Sequence, residues 1–232
     1  MISSQFREEL QQIFPQHGFP LEPVQLDQFV TYWRELKRWN SRMNLTSIRT
    51  DRESIIKHFL DSLSVLQYFD VKSGDSIIDI GTGAGFPGLP IKIYIPDIKL
   101  VLVEPSLKKV SFLRFLISQL SRNCQSNTSR SWENPRIVAQ RAEECTTNGQ
   151  HITAYDWVLT RYVASLEDSV TYCFPLLKPN GTWVAYKSPD VQHEIQQATP
   201  KLQSLGSRDQ SIVNSHIPKL NRTYVAIRQG VC

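Results

Sequence analysis

At 232 residues, 41% hydrophobic and 21% charged, the chain has the size and balance of a globular protein able to bury a sizeable core. No run approaches the roughly 18 apolar residues of a membrane span, and the start, Met1-Ile-Ser-Ser-Gln-Phe-Arg, lacks the charged-then-apolar order of a secretory signal, so a cytoplasmic protein is expected. The net charge of +4 is uneven: residues 1–74 balance nine basic against nine acidic side chains, so the excess lies downstream, where it permits a polyanionic partner without requiring one.

Residues 3–70 read as helices. Phe6, Leu10, Ile13 and Phe14 recur at helical spacing, and Pro15, Gly18, Pro20 and Pro23 separate them from a longer stripe of Leu26, Phe29, Val30, Trp33, Leu36 and Trp39. A third stripe, Ile55 to Leu66, follows a joint at 40–51 in which Thr50 or Asp51 is a plausible N-cap. The aromatic stripe of the second helix is expected to be core. Residues 1–72 therefore form a helical cap on a core of residues 73–232.

From Asp75 strand and helix patterns alternate, the signature of a parallel sheet covered on both faces. Strands are expected near 76–80, 99–104, 136–140, 155–160, 181–187, 209–214 and 222–228, and helices near 88–95, 106–120, 165–177 and 190–203. The last two strands follow each other without a helix, so one is expected to run antiparallel at an edge. Residues 121–135 are polar and turn-rich and read as an exposed loop. Cys124, Cys145, Cys173 and Cys232 show no ligand spacing, so free thiols and no metal are expected.

Chemistry concentrates between Ser76 and Pro90. Ile77, Ile78 and Ile80 make a β-branched strand, Gly81, Gly83, Gly85 and Gly88 make a turn able to approach a ligand, and Leu89 begins a helix. Phe86 stands where a dinucleotide fingerprint starting at Gly81 needs its third glycine, which favours a methyl-donor turn over a nicotinamide one. Val101, Leu102 and Val103 lead into Glu104, about where a doubly wound fold sets an acid on a ribose diol.

Four blocks in order resemble the RsmG (GidB) family of ribosomal RNA small-subunit methyltransferases. They are Asn44-Leu-Thr46-Ser-Ile with His58-Phe-Leu-Asp61-Ser-Leu; Asp79-Ile-Gly-Thr-Gly-Ala-Gly-Phe-Pro-Gly-Leu-Pro90; Glu104-Pro-Ser-Leu-Lys108-Lys109-Val-Ser-Phe-Leu113; and Arg141-Ala-Glu-Glu144 with Asp156-Trp-Val-Leu-Thr-Arg161. The resemblance spans roughly residues 25–190 and implies a seven-stranded, mostly parallel, Rossmann-like α/β methyltransferase. It also implies S-adenosylmethionine as cofactor, guanine N7 of 16S rRNA or of a small-subunit particle as target, and a monomer without membrane contact. By the same resemblance Gly81, Gly83, Gly85 and Phe86 meet the cofactor at the first turn. Glu104, Pro105 and Ser106 hold its ribose and adenosine, Ala142 and Glu143 flank the adenine, and Arg161 faces cofactor and substrate.

Lys108, Lys109, Arg114, Arg122 and Arg130 are candidate phosphate contacts. His58 and Asp61, three positions apart on a helix, are expected to be structural or RNA-facing rather than catalytic, and no catalytic residue is assigned. Three positions depart from the family pattern: Pro105, where a free N–H is usual; Tyr162, where a small residue is usual; and Ser188, where glycine is usual. Two other readings stay open at this level, an RNA-binding protein that has lost catalysis and a nicotinamide-dependent oxidoreductase.

Overall fold

The computed structural model describes residues 2–48, 50–124, 132–147, 153–218 and 220–230. Helix α1 (Ile2–Gln16) runs through Pro15, which therefore lies within the helix instead of separating it from the next. Helix α2 (Pro23–Met43) starts with Pro23 at its first position and Glu22 and Gln25 forming a reciprocal cap. It stops at Asn44, whose left-handed backbone (φ 50°) ends the hydrogen-bond ladder. After Thr50, whose side chain accepts from the Glu53 N–H, a continuous helical stretch follows. It comprises α3 (Asp51–Ser54), a π-helical segment Ile55–Leu60, α4 (Asp61–Leu63) and a 3-10 turn Ser64–Gln67.

Seven strands make one sheet in the order β3-β2-β1-β4-β5-β7-β6. They are β1 (Ser76–Ile80), β2 (Lys99–Val103), β3 (Arg136–Val138), β4 (Tyr155–Arg161), β5 (Leu177–Lys187), β6 (Ser207–Asn214) and β7 (Thr223–Gln229). Strands β1 to β5 are parallel and β7 is antiparallel to both neighbours. The antiparallel strand thus lies one place in from the edge, not at it. The short link from β6 forces the reversal, and β7, buried along Thr223–Ile227, takes the interior slot between β5 and the mostly exposed β6.

Helices α5 (Gly88–Tyr94) and α6 (Leu107–Cys124) cover one face together with the N-terminal helices, while α7 (Glu144–Thr147), α8 (Leu166–Cys173) and α9 (Gln192–Ser204) cover the other. Helix α6 carries on to Cys124, four residues into the segment expected to be loop. The N-terminal helices share their core with the sheet. Phe59, fully buried, packs its ring against Phe6, Phe29, Tyr32 and Phe86, the last belonging to the glycine turn. Such pairs each contribute about 0.5–1.5 kcal/mol beyond area burial, so the cap and the turn are locked to one another. Cys145 and Cys173 carry free thiols; the side chains of Cys124 and Cys232 lie outside the described residues. Among the described residues no helix is long and apolar enough to cross a membrane.

Candidate functional site

Parallel strands release their loops on one edge of the sheet, and the register aligns those exits. Ile80 pairs with Val103 and with Thr160, so Gly81, Glu104 and Arg161 leave three adjacent strands at the same level. A cavity of about 620 Å³ opens there, bordered by the 45–48 loop, the π-helical segment, the glycine turn, and residues 220 and 222 ahead of β7.

Gly81, Gly83, Phe86 and Arg161 line this cavity, and so does Lys109. Glu104 is buried at its side, with one carboxylate oxygen accepting from the Gly83 N–H (3.0 Å) and the other from the Ser106 N–H (2.9 Å). Pro105 is exposed beyond it and has no N–H to offer, and the N–H of Ser106 is taken by Glu104. Ala142 and Glu143 form a turn just past β3 on the same sheet edge. Gly85 does not line the cavity. A Cβ there would come within 2.6 Å of both Leu89 Cδ1 and the Tyr32 hydroxyl, so its bareness serves the packing of turn on cap. Lys108, Arg114 and Arg122 are exposed on one stripe of α6, and Arg130 lies outside the described residues.

Behind the turn, Asp79 is fully buried. Its Oδ2 accepts from the Thr82 hydroxyl (2.7 Å) and the Gly88 N–H (2.8 Å), while Oδ1 has no hydrogen-bond partner among the described residues. Burial pushes this carboxyl up to about 6, against the pull of those two hydrogen bonds.

The opposite wall is a charge network. Asp61 accepts on Oδ1 from Arg222 Nε (2.9 Å) and on Oδ2 from Arg222 Nη2 (3.0 Å), and its Oδ2 is also ion-paired with Arg161 Nη1 at 3.0 Å. Arg161 also donates to the Lys57 carbonyl (3.2 Å) and meets His58 Nδ1 at 3.2 Å. Only a buried, pre-paired guanidinium fits this arrangement, so Arg161 is an ion-pair residue, but an interior one. His58 and Asp61, expected to be structural or RNA-facing, hold the two arginines in the cavity wall.

A guanidinium only donates, so His58 Nδ1 is the acceptor and its proton resides on Nε2, which donates to Thr46 Oγ1 at 2.7 Å. Burial, reinforced by Arg161, lowers this imidazole to about 3. Phe86 lies flat beneath it at 4.5 Å, with Tyr32 also stacked against that ring at 5.1 Å. Thr46 and Arg222, in the wall but given no role from sequence, stand far along the chain from the glycine turn. The block Asn44 to Ile48 was the one signal pointing at Thr46.

The family model described as "rRNA small subunit methyltransferase G" matches residues 25–223. The chain belongs to the rRNA small subunit methyltransferase G family. Among similar relatives of that name, one from Roseiflexus sp. is 40% identical over 90% of this chain and 86% of its own. Another, from Alkaliphilus metalliredigens, is 39% identical over 82% and 76%. A Thermotoga maritima SAM-dependent O-methyltransferase, 17% identical, covers 85% of this chain and 72% of its own with TM-score 0.51. TYW2 of M. jannaschii in complex with AdoMet, 13% identical, covers 78% of this chain and 77% of its own with TM-score 0.53. Those two likenesses bear on the fold alone, a seven-stranded, mostly parallel sheet covered by helices on both faces. As a member of the rRNA small subunit methyltransferase G family, the protein is an S-adenosylmethionine-dependent ribosomal RNA methyltransferase.

Proposed function

We propose that the protein transfers a methyl group to N7 of a guanine in small-subunit (16S) ribosomal RNA, with the RNA or an assembling small-subunit particle as partner, acting as a cytoplasmic monomer. The observation that carries this reading is the convergence of Gly81, Glu104 and Arg161 at adjacent strand ends around one cavity. At about 620 Å³ it falls within the range of small-molecule and cofactor sites, and its glycine turn presents backbone rather than side chains. The residues present fit S-adenosylmethionine.

In this reading Gly81, Gly83 and Phe86 bind the donor at the first turn. Glu104, held in place by the Gly83 and Ser106 N–H groups, turns its remaining lone pairs to the ribose diol, and Pro105, Ser106, Ala142 and Glu143 enclose the nucleoside. Gly85 contributes by letting the turn close on Tyr32. When bound, the donor supplies an electrophilic sulfonium methyl. Guanine N7 carries a lone pair and no proton, so the protein must orient and desolvate it without removing a proton. A wall of two arginines paired with Asp61, beside a neutral His58, suits that task. Lys108, Arg114 and Arg122, spread along roughly 20 Å of α6 at about 1.5 Å per residue, with Lys109 and Arg130, contact the RNA backbone.

Two measurements test this. Calorimetric titration with S-adenosylmethionine and, separately, with NAD should show binding of the former alone, lost in Gly83→Asp. Methyl incorporation into undermethylated small-subunit RNA, mapped by mass spectrometry, should fall on guanine N7; a label on an exocyclic amine or a ribose oxygen would overturn the assignment.

A further inference from the structure

Tyr162 follows Arg161 at the cavity mouth and is 76% exposed, the most exposed large apolar side chain among the described residues. Its backbone is left-handed (φ 55°), a conformation that costs a residue with a Cβ about 1–2 kcal/mol and that directs the ring outward from the end of β4. Nothing in the packing of the fold requires an aromatic ring in such a place.

The ring is nevertheless fixed. Its hydroxyl accepts from Arg222 Nη2 at 2.8 Å, and the Arg161 and Arg222 guanidiniums stand 5.3 and 5.0 Å from its centroid. Those guanidiniums are held in place by the same oxygen of Asp61. With three quarters of the residue exposed, much of the ring stays open to solvent. A rigid aromatic face, backed by two cations that draw on its π-electrons, offers an electron-rich purine a stacking surface at little entropic cost.

We propose that Tyr162 is the platform on which the target guanine stacks, a specificity-determining side chain that this chain carries beside the methyl-transfer cavity. The proposal rests on the guanine-methylating reading above. The rival explanation is that Tyr162 merely completes the Asp61 network through its hydroxyl, and the two separate by substitution.

Tyr162→Phe keeps the face and loses the hydroxyl; Tyr162→Ala loses both. With undermethylated small ribosomal subunits as substrate, Tyr162→Phe is expected to retain kcat/KM within about threefold. Tyr162→Ala should lose roughly 5- to 150-fold, the range of base–aromatic stacking measured by alanine substitution, mostly through KM for the RNA. Calorimetric affinity for S-adenosylmethionine should be unchanged in both. Tyr162→Leu, which keeps bulk without a π-face, should behave as Tyr162→Ala and stands in for it if that variant melts early. Tyr162→Trp supplies a readout independent of turnover: an rRNA fragment containing the target guanine should quench its fluorescence beyond the quenching seen in the wild type.

Retention of kcat/KM within twofold in Tyr162→Ala would overturn the proposal, as would equal losses in Tyr162→Phe and Tyr162→Ala. Failure of the guanine reading is distinguishable, because then the wild-type protein itself places no methyl on guanine N7, and the proposal falls with it.

Discussion

Replacing His58 by glutamine tests whether the cavity wall is held neutral. The imidazole accepts from Arg161 on Nδ1 and donates from Nε2 to Thr46, and a Gln carboxamide offers the same one acceptor and one donor without a titrating group. Burial and then Arg161 bring His58 from 6.5 to about 3, so the unfolded chain takes up a proton near pH 6.5 that the folded chain refuses until about pH 3. The folded value is depressed; the neutral ring's stability is therefore fully present above pH 6.5 and is lost as pH falls towards 3. At one pKa unit to about 1.4 kcal/mol, the wild type should lose about 2 kcal/mol relative to His58→Gln between pH 8 and pH 5, and roughly 5 kcal/mol by pH 3. Urea unfolding of both proteins at pH 8, 7, 6 and 5 measures this difference, and subtraction removes every other titrating group. In NMR spectra the His58 ring protons should stay at their neutral shifts down to pH 5. A stability difference constant to within about 0.5 kcal/mol over that range, or a His58 titration near 6.5, would refute the assigned tautomer and its cause.

Asp61→Ala should destabilise the protein by about 3–5 kcal/mol in denaturant unfolding, because it leaves two buried guanidiniums without their shared counter-charge. A loss under about 1 kcal/mol would mean that solvent reaches the pair. Gly83→Ala meets nothing closer than the Gly81 carbonyl at 4.0 Å, so it should fold, at about 1–2 kcal/mol for its φ of 62°. Its methyl, carried on a residue that lines the cavity, should weaken S-adenosylmethionine at least tenfold by calorimetry. Undiminished affinity would remove the glycine turn from the donor site. Lys108→Glu with Arg114→Glu, both on the solvent stripe of α6, should weaken RNA binding and flatten its salt dependence while sparing donor affinity; an unchanged salt slope would take that helix face out of the RNA interface.

The parts of the site that sequence made legible share one property: each is local. A β-branched run into glycines announced β1 and its turn, an apolar triplet ending in Glu104 announced the next strand end, and Arg161 closed a readable strand. What stayed hidden depends on distance. Asp61 and Arg222 are 161 residues apart in the chain, and no periodicity reports such a pairing. The π-helical turn at Ile55–Leu60 has an apolar spacing that reads as ordinary helix, yet it is where the Lys57 and His58 carbonyls become partners of Arg161. Gly85 looked like a ligand glycine because the sequence shows a missing Cβ without showing which neighbour fills the space. The slot taken by β7 was equally invisible: the short link before it dictates reversal, whereas burial along the whole strand decides that it lies inside β6.

The acid–base state of the wall argues for the chemistry. His58 is kept neutral to about pH 3 by burial and by Arg161, the network around Asp61 is an ion-paired one, and the carboxyl of Asp79, lifted to about 6, lies behind the glycine turn and does not line the cavity. None of these is poised to accept a proton from a substrate at neutral pH, as a general base would be. A methylation that first had to strip a proton from an amine or a hydroxyl would gain little from such a wall; N7 attack, which strips none, loses nothing by it. The consequence is measurable in single-turnover experiments with saturating RNA and donor. The methyl-transfer rate should stay level from pH 7 to pH 9, above the Asp79 and His58 transitions. A tenfold rise per pH unit in that window would mean that a deprotonation limits the step, and the target would then have to be an atom that carries a proton.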